Sequence, residues 1–311
     1  MGQILISKRA NIFYLDRVKI MVDDGRVCAF TVNEIGYKDY INIPDKNTSL
    51  LLLGRGSSIT NEAARLLSGS NVMVGFSGSG GYPPYTMSEL VFMPYYSNHR
   101  PTEYMQEWAR MWFDEVKRLD MAKLWMIERI NNIEKYWLTN EFIKSNGIQY
   151  SDILDTCKNH VVDMKSLQEL LLLLEARLTK KLYHVIAKTC LDSIFKRIRR
   201  IEKVTTVQDK INHKLDHGNY MMYGAASATL HCLGISFSFP VLHGATRNGG
   251  LVMDLADLFK DALILPHGFE QGFVNTNNRE AKYRKTVITL FNDVGLLDRM
   301  FDMVKTSCER L

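Results

Sequence analysis

The stretch His243-Gly-Ala-Thr-Arg-Asn-Gly-Gly-Leu-Val-Met-Asp-Leu-Ala-Asp-Leu-Phe-Lys-Asp261 sets a histidine in a glycine-rich turn ahead of a helix that carries acids. The helix is predicted from Leu255, Leu258, Phe259, Ala262 and Leu263, which recur at three- and four-residue spacing with no proline until Pro266. That period puts Asp254, Asp257 and Asp261 along one flank. Asp254 and Asp257 are neighbours there, and their mutual repulsion costs only about 0.2–0.5 kcal/mol, so a solvated acidic flank is enough to account for them. His243 opens a second reading. A neutral imidazole and carboxylates converging on one point suit manganese or zinc, while carboxylate and water oxygens suit magnesium. Gly244, Gly249 and Gly250 would let the chain reverse so that the ring faces the acids. Taken alone, His243 is more readily a core or capping histidine than a ligand. A further acidic ligand is available at Glu175, directly after the five leucines 170–174. It lies near the edge of an apolar helix face, where an unpaired carboxylate is costly to bury, although helical phase alone could also turn it outward.

A chain of 311 residues can bury one large core or two modest ones, and two is the better expectation. Apolar content of 46% and charged content of 23% describe a soluble globular protein. The net charge of +5 hides an uneven distribution. From Arg177 to Lys214 the eleven Lys and Arg face only Asp192, Glu202 and Asp209, a local excess that begins just after Glu175. A basic strip beside an acidic metal candidate suits work on a phosphodiester, because cations hold the polyanion while a metal acts on one phosphate. A solvated helix face explains the same charges. The five cysteines (28, 157, 190, 232 and 308) are scattered and form no CxxC pair, which points to a reducing cytoplasm and away from a zinc knuckle or a disulfide frame. The apolar runs at 50–53 and 170–174 are far short of the roughly 20 residues a membrane span needs, and neither export nor membrane insertion is expected.

Residues 1 to about 95 read as strands with tight turns. Val18, Ile20 and Val22 alternate with Lys19, Met21 and Asp23, and Asp24-Gly25 supplies a hairpin turn before Val27–Phe30 returns. A second apolar run, Leu50–Leu53, meets Gly54-Arg55-Gly56, then a short helix opens near Thr60 and closes at Gly69. Ile59 stands where the third glycine of GxGxxG belongs, so a structural turn explains this stretch better than a nucleotide site. Residues 78–84 form a loop leading to a domain boundary whose linker ends at Arg100-Pro101. From Thr102, a plausible N-cap, Met105, Trp108, Trp112, Val116 and Leu119 make a helical stripe. All four tryptophans (108, 112, 125 and 137) sit here among basic residues, and helical spacing favours a bundle core over a base-stacking surface. Helices are expected over 165–203 and 216–233, with 204–216 and 266–280 as candidate loops.

Three stretches, Leu174–Leu178, Leu215–Gly224 and Val241–Asp257, resemble the CRISPR spacer-acquisition integrase, the CRISPR-associated endonuclease of the adaptation step. Arg100–Trp108 and Trp112–Leu119 are similar to its subtype I-F branch. The resemblance runs from Ser7 to the last helices. It implies an α+β chain, with an N-terminal β-sandwich-like dimerisation domain (1–95) followed by a C-terminal α-helical catalytic domain (96–311). It also implies a homodimer, two of which flank a dimer of a small adaptation partner protein, typically fused to the helicase-nuclease in this branch. Double-stranded DNA, as captured fragments and as CRISPR repeat, is the implied substrate in a prokaryotic cytoplasm. Metal ligation carries over onto Glu175, His243 and Asp257, with Asp254 as a fourth acid acting through water, and Mg²⁺ or Mn²⁺ as the ion.

The reaction this implies is attack by a 3′-hydroxyl on a phosphodiester at the edge of a repeat, with hydrolysis when water replaces the hydroxyl. Catalytic roles fall on Glu175, His243, Asp254 and Asp257. Phosphate contacts are assigned to Arg177, Lys180, Lys181 and Arg247, and Tyr220 and Tyr223 are candidates for positioning the attacking end or for packing. The rival reading is a non-catalytic scaffold that binds DNA ends while a partner does the chemistry.

Overall fold

The computed structural model describes Arg9 and residues 11–32, 38–77, 91–92, 102–170, 176–191, 194–198, 204–244, 247, 249–273 and 279–309. The first part is two four-stranded sheets. One runs in the order β1 (Asn11–Leu15), β5 (Thr48–Leu53), β7 (Met73–Phe76) and β8 (Val91–Phe92). The other runs β4 (Lys38–Ile43), β3 (Arg26–Val32), β2 (Lys19–Asp23) and β6 (Ser58–Ile59). The predicted hairpin is β2–β3, with Met21 opposite Cys28 and both Asp24 and Gly25 at positive φ, as a two-residue turn of this type requires. Thr60 caps α1 (Asn61–Gly69) by accepting the N–H of Ala63 at 3.3 Å. The Gly-Arg-Gly turn is structural: a Cβ on Gly54 would come within 2.4 Å of the Tyr14 hydroxyl.

Alternation explains why Leu50–Leu53 is an unbroken apolar run. Leu51 and Leu53 join Val18, Ile20, Val27, Ala29 and Ile43 of the other sheet, with Ala63 and Leu67 of α1, in one core. Leu50, Leu52 and Met73 face the opposite way and pack on Ala228 and Cys232 of a helix 150 or more residues later. A strand covered on both faces has no polar side to show.

The rest of the described chain is mostly helical: α2 (Glu103–Trp112), α3 (Glu115–Thr139), α4 (Glu141–Ser145), α5 (Ser151–Asp163), α6 (Leu167–Glu169), α7 (Ala176–Leu191), α8 (Val207–Cys232), α9 (Gly250–Gly272), α10 (Arg279–Asp293) and α11 (Leu296–Glu309). Strands followed by helices is the α+β order expected. The expected boundary near residue 95 lies outside the described residues. Trp108, Trp125 and Trp137 are fully buried, as their helical spacing predicts, and none of the five cysteines is in a disulfide. Among the described residues no helix is long and apolar enough to cross a membrane.

Several sequence expectations are corrected. The stripe from Met105 does not run on to Val116, because Asp114 accepts the N–H of Val116 and Lys117 and starts a new helix in a new phase. Val116 is 71% exposed as a result, and Phe113 is 74% exposed. The predicted loop at 204–216 is largely the start of α8. Thr206 and Asp209 form a reciprocal cap there, and Ile211 and Leu215 are buried at four-residue spacing. Its polar residues misled because they are partnered from outside the segment: Asn212 and Asp216 receive Arg197. Residues 194–198, predicted helical, are not helical and dock through that arginine and Phe195, whose ring stacks on Tyr183 at 5.6 Å. Pro266 does not end α9, which continues to Gly272. The proline removes one N–H, but burial of Leu265 and Phe269 and the close approach of α8 outweigh that loss. A Cβ on Gly268 or Gly272 would meet Leu215 at 2.6 Å or Ile211 at 2.3 Å, so the two helices touch where those glycines lie.

At the far side of α8, the His217 ring is buried 4.6 Å from that of His213. Burial, then His213, Arg284 and Lys214, push its pKa down to about 3 from 6.5. Between those values the unfolded chain binds a proton that the folded chain refuses, so stability falls as pH drops from about 6.5 toward 3. The expected slope from this group is roughly 1 kcal/mol per pH unit. Urea midpoints at pH 7 and pH 5 should therefore differ more for the wild type than for His217→Gln, and equal slopes would remove His217 from the acid limb.

Candidate active site

Asp254 lies near the start of α9, fully buried against the irregular segment 239–243. Its Oδ2 accepts the backbone N–H of Val241 at 2.7 Å and of Leu242 at 2.9 Å, and its Oδ1 accepts that of His243 at 3.3 Å. The ring Nδ1 of His243 is 2.5 Å from the same Oδ1. An oxygen surrounded by donors is an acceptor, which assigns the proton to Nδ1 and the lone pair of the neutral ring to Nε2. The oxygens of Asp254 are turned to this backbone and to the imidazole, so the carboxylate holds the segment from the α9 side and selects the tautomer of His243.

One turn further along α9, Asp257 is buried between cations. Lys260 Nζ lies against its Oδ1, and Arg129 Nη1 lies 3.4 Å from its Oδ2. Burial pushes the Asp257 carboxyl up, but Lys260 and then Arg129 pull harder and hold it below the usual carboxylate range. Lys260 answers in kind. Burial lowers its pKa, while Asp257, Tyr223 and Asp261 more than reverse this and raise it above the ordinary lysine value.

Asp261 completes the row. Arg129 Nε donates to Asp261 Oδ2 at 3.0 Å, its Nη2 contacts the same oxygen, and Nη2 donates to Thr179 Oγ1 at 2.7 Å. Asn132 and Trp137, on the same side of α3, donate to the Leu258 and Asp261 carbonyls at 3.1 Å. The three acids are therefore not a solvated flank: Asp254, Asp257 and Asp261 are 0%, 3% and 2% exposed. Each is partnered, Asp254 by backbone N–H groups and His243, and Asp257 and Asp261 by a shared Arg129, which is how one helix face can bury three carboxylates.

The other predicted residues fall into two groups. Arg177, Lys180 and Lys181 are on the exposed side of α7, whose Thr179 reaches inward to Arg129. Arg247 is exposed, with Nε 2.9 Å from Met253 Sδ. Tyr220 and Tyr223 on α8 are half-buried with perpendicular rings 5.9 Å apart, and Tyr223 lies close enough to Lys260 to affect its charge. The basic strip is thinner than its sequence count, since Arg197 is folded onto Asp216 and Lys214 lies 4.9 Å over the Tyr283 ring. Glu175, the position before α7, is outside the described residues. Sequence reasoning missed Lys260 and Arg129 as parts of the site. Lys260 had a signal, three positions after Asp257, whereas Arg129 is 128 residues away with no local cue.

The donor set fits a divalent cation in kind. It pairs an imidazole whose Nδ1 is held by a carboxylate with a buried carboxylate kept ionised. Among the described residues no group of three or more His, Cys, Asp and Glu side chains is arranged to hold an ion. His243 and Asp257 thus need a further donor.

Comparison with known proteins follows the same outline. Residues 17–265 match the family model described as CRISPR associated protein Cas1. The chain is 37% identical over 323 residues to the CRISPR-associated endonuclease Cas1 of Pseudomonas aeruginosa, covering 99% of this chain and 95% of that protein. It is 36% identical over 317 residues to the one from Pectobacterium atrosepticum, with the same coverage. A solved casposase bound to integration product superposes with a TM-score of 0.73 at 15% identity, over 96% of this chain and 91% of that one, which is a likeness of fold.

Proposed function

This chain belongs to the Cas1 family of CRISPR-associated proteins, and from that premise we propose that it is a divalent-metal-dependent DNA endonuclease and integrase of the I-F branch. Its substrates are captured DNA fragments and a CRISPR repeat in a prokaryotic cytoplasm. Its partners are a second copy of the chain and a small adaptation protein fused to the helicase-nuclease. The names of the two relatives support the nuclease reading, and the casposase likeness supports a scaffold suited to strand joining.

The observation that carries the proposal is that two acids three residues apart on α9 are buried with different partners, Asp254 holding His243 through Nδ1 and Asp257 kept ionised by cations. His243, Asp257 and Glu175 would hold Mg²⁺ or Mn²⁺, which when bound supplies Lewis acidity to a phosphate oxygen and lowers the pKa of an attacking hydroxyl. Asp254 keeps the imidazole in the tautomer that offers Nε2 outward. Lys260 and Arg129 keep Asp257 charged, and Lys260 adds positive charge where a phosphate would approach. Arg177, Lys180, Lys181 and Arg247 contact the DNA backbone, and Tyr220 and Tyr223 steady the reacting end.

The test is strand joining of a 3′-hydroxyl oligonucleotide to repeat DNA, and nicking of DNA, with Mn²⁺ present. His243→Gln is expected to lower both at least 100-fold while salt-dependent DNA binding stays within about threefold. Full-rate joining by that variant would overturn the mechanism. A scaffold role predicts instead that Glu175→Ala changes nothing, because no chemistry would depend on it.

A further inference from the structure

The segment Phe239–His243 belongs to no helix or strand, so its peptide groups are not satisfied by any ladder. Its N–H groups at 241, 242 and 243 go to Asp254, as described above. Its carbonyls go the other way, to side chains more than 120 residues earlier. Trp108 Nε1 donates to Phe239 O at 3.0 Å and Trp112 Nε1 to Pro240 O at 2.9 Å. Arg118 donates from Nε to Val241 O at 3.2 Å and from Nη2 to His243 O at 3.1 Å. Two of these donors also hold each other: the Arg118 guanidinium lies 5.1 Å over the Trp112 ring, and that ring meets Phe239 edge-on at 5.0 Å. On the third side α9 begins so close that a Cβ on Gly250 would be 2.9 Å from Pro240 Cβ and 3.4 Å from His243 Cβ.

From this we infer that Trp112 and Arg118, backed by Trp108, are positioning residues that fix the backbone of His243 and, through it, the direction of the imidazole. The inference rests on the proposed role of His243. Asp254 holds the segment from the α9 side by its N–H groups. Arg118 holds it from the opposite side by gripping the carbonyls on either side of Leu242. One guanidinium edge spanning two carbonyls is a fork that lysine does not reproduce. The arrangement also gives a use to three residues of the stretches that are similar to the I-F branch: Trp108, Trp112 and Arg118 build the outer wall of the histidine segment.

Full-length protein carrying Arg118→Gln, Arg118→Lys or Trp112→Phe tests this. Trp112→Phe keeps an aromatic ring and removes only the indole N–H. Trp108 is avoided because it is fully buried and its loss would threaten the fold. The first readout is the ¹⁵N spectrum of histidine-labelled, metal-free protein, with the His243 signals assigned by their loss in His243→Gln. Wild type should show one tautomer with the proton on Nδ1, and Arg118→Gln should show exchange between tautomers. The second readout is Mn²⁺ affinity, expected to fall about 10-fold in Arg118→Gln and less in Arg118→Lys and Trp112→Phe. Melting temperature is followed alongside, and if Arg118→Gln does not fold the two milder variants decide. Unchanged His243 signals in variants that fold would overturn the inference. So would a change that merely tracks the loss of melting temperature and is not eased in Arg118→Lys. Because the first readout needs neither metal nor DNA, it decides the role of Arg118 even if His243→Gln proves fully active and the proposed function fails.

Discussion

Replacing Asp257 with asparagine is expected to lower Mn²⁺-dependent DNA cleavage and strand joining by roughly 100-fold or more, the scale on which losing a ligand exceeds the loss of an outer-shell partner. The substitution keeps size and shape and removes the charge. Asp257 is buried, yet Lys260 and Arg129 hold it ionised, an environment arranged to keep an anion where water is scarce. An amide there offers one neutral oxygen, and the cations beside it would then repel an incoming divalent ion without opposition. Isothermal titration with Mn²⁺ should show affinity falling together with activity. Melting temperature should move less than in the Arg129 variant considered next, because Arg129 retains Asp261 and Lys260 retains a path to solvent. Activity within threefold of wild type would show that Asp257 is a structural acid only.

The largest effect on stability is expected from Arg129→Met. Arg129 is 1% exposed, and its guanidinium is shared among Asp261, Asp257 and Thr179. Methionine fills much of the volume but leaves two carboxylates buried with less compensation. Breaking a buried pair in this way costs about 3–5 kcal/mol, or roughly 6–20 °C in melting temperature for a domain of this size. The double variant Arg129→Met with Asp261→Asn should recover part of the loss, since the acid that most needs the arginine would no longer be charged. The same change affects the site chemistry. With Arg129 gone, one of the charges that hold Asp257 down is lost, and burial would push its carboxyl upward toward protonation. A melting temperature within about 2 °C of wild type would refute this account.

The parts of the site legible along the chain are those whose signal is local. His243 in a glycine turn, and Asp254, Asp257 and Asp261 at helical spacing, could be named as candidates because residue type and period are written in adjacent positions. Their division of labour could not. Asp254 and Asp257 are three residues apart and chemically identical in sequence, yet one accepts three backbone N–H groups and a ring nitrogen while the other faces two cations. Polarity misled in the same way at α8, where Asn212, Lys214 and Asp216 read as loop but are buried against partners from other segments.

By itself the sequence determined the two-part order, the β2–β3 hairpin with its Asp24-Gly25 turn, the buried tryptophan helices and the helix that bears the acids. Each of these follows from backbone preference and side-chain period over a few neighbouring residues. Only the tertiary structure decided that α9 runs through Pro266, that Arg129 and Lys260 set the charge of Asp257, and that Trp112 and Arg118 hold the histidine segment from outside. The physical reason is that the fate of a buried charge or an unladdered peptide depends on desolvation and on donors brought in from 120 or more residues away. No periodicity along the chain records those meetings.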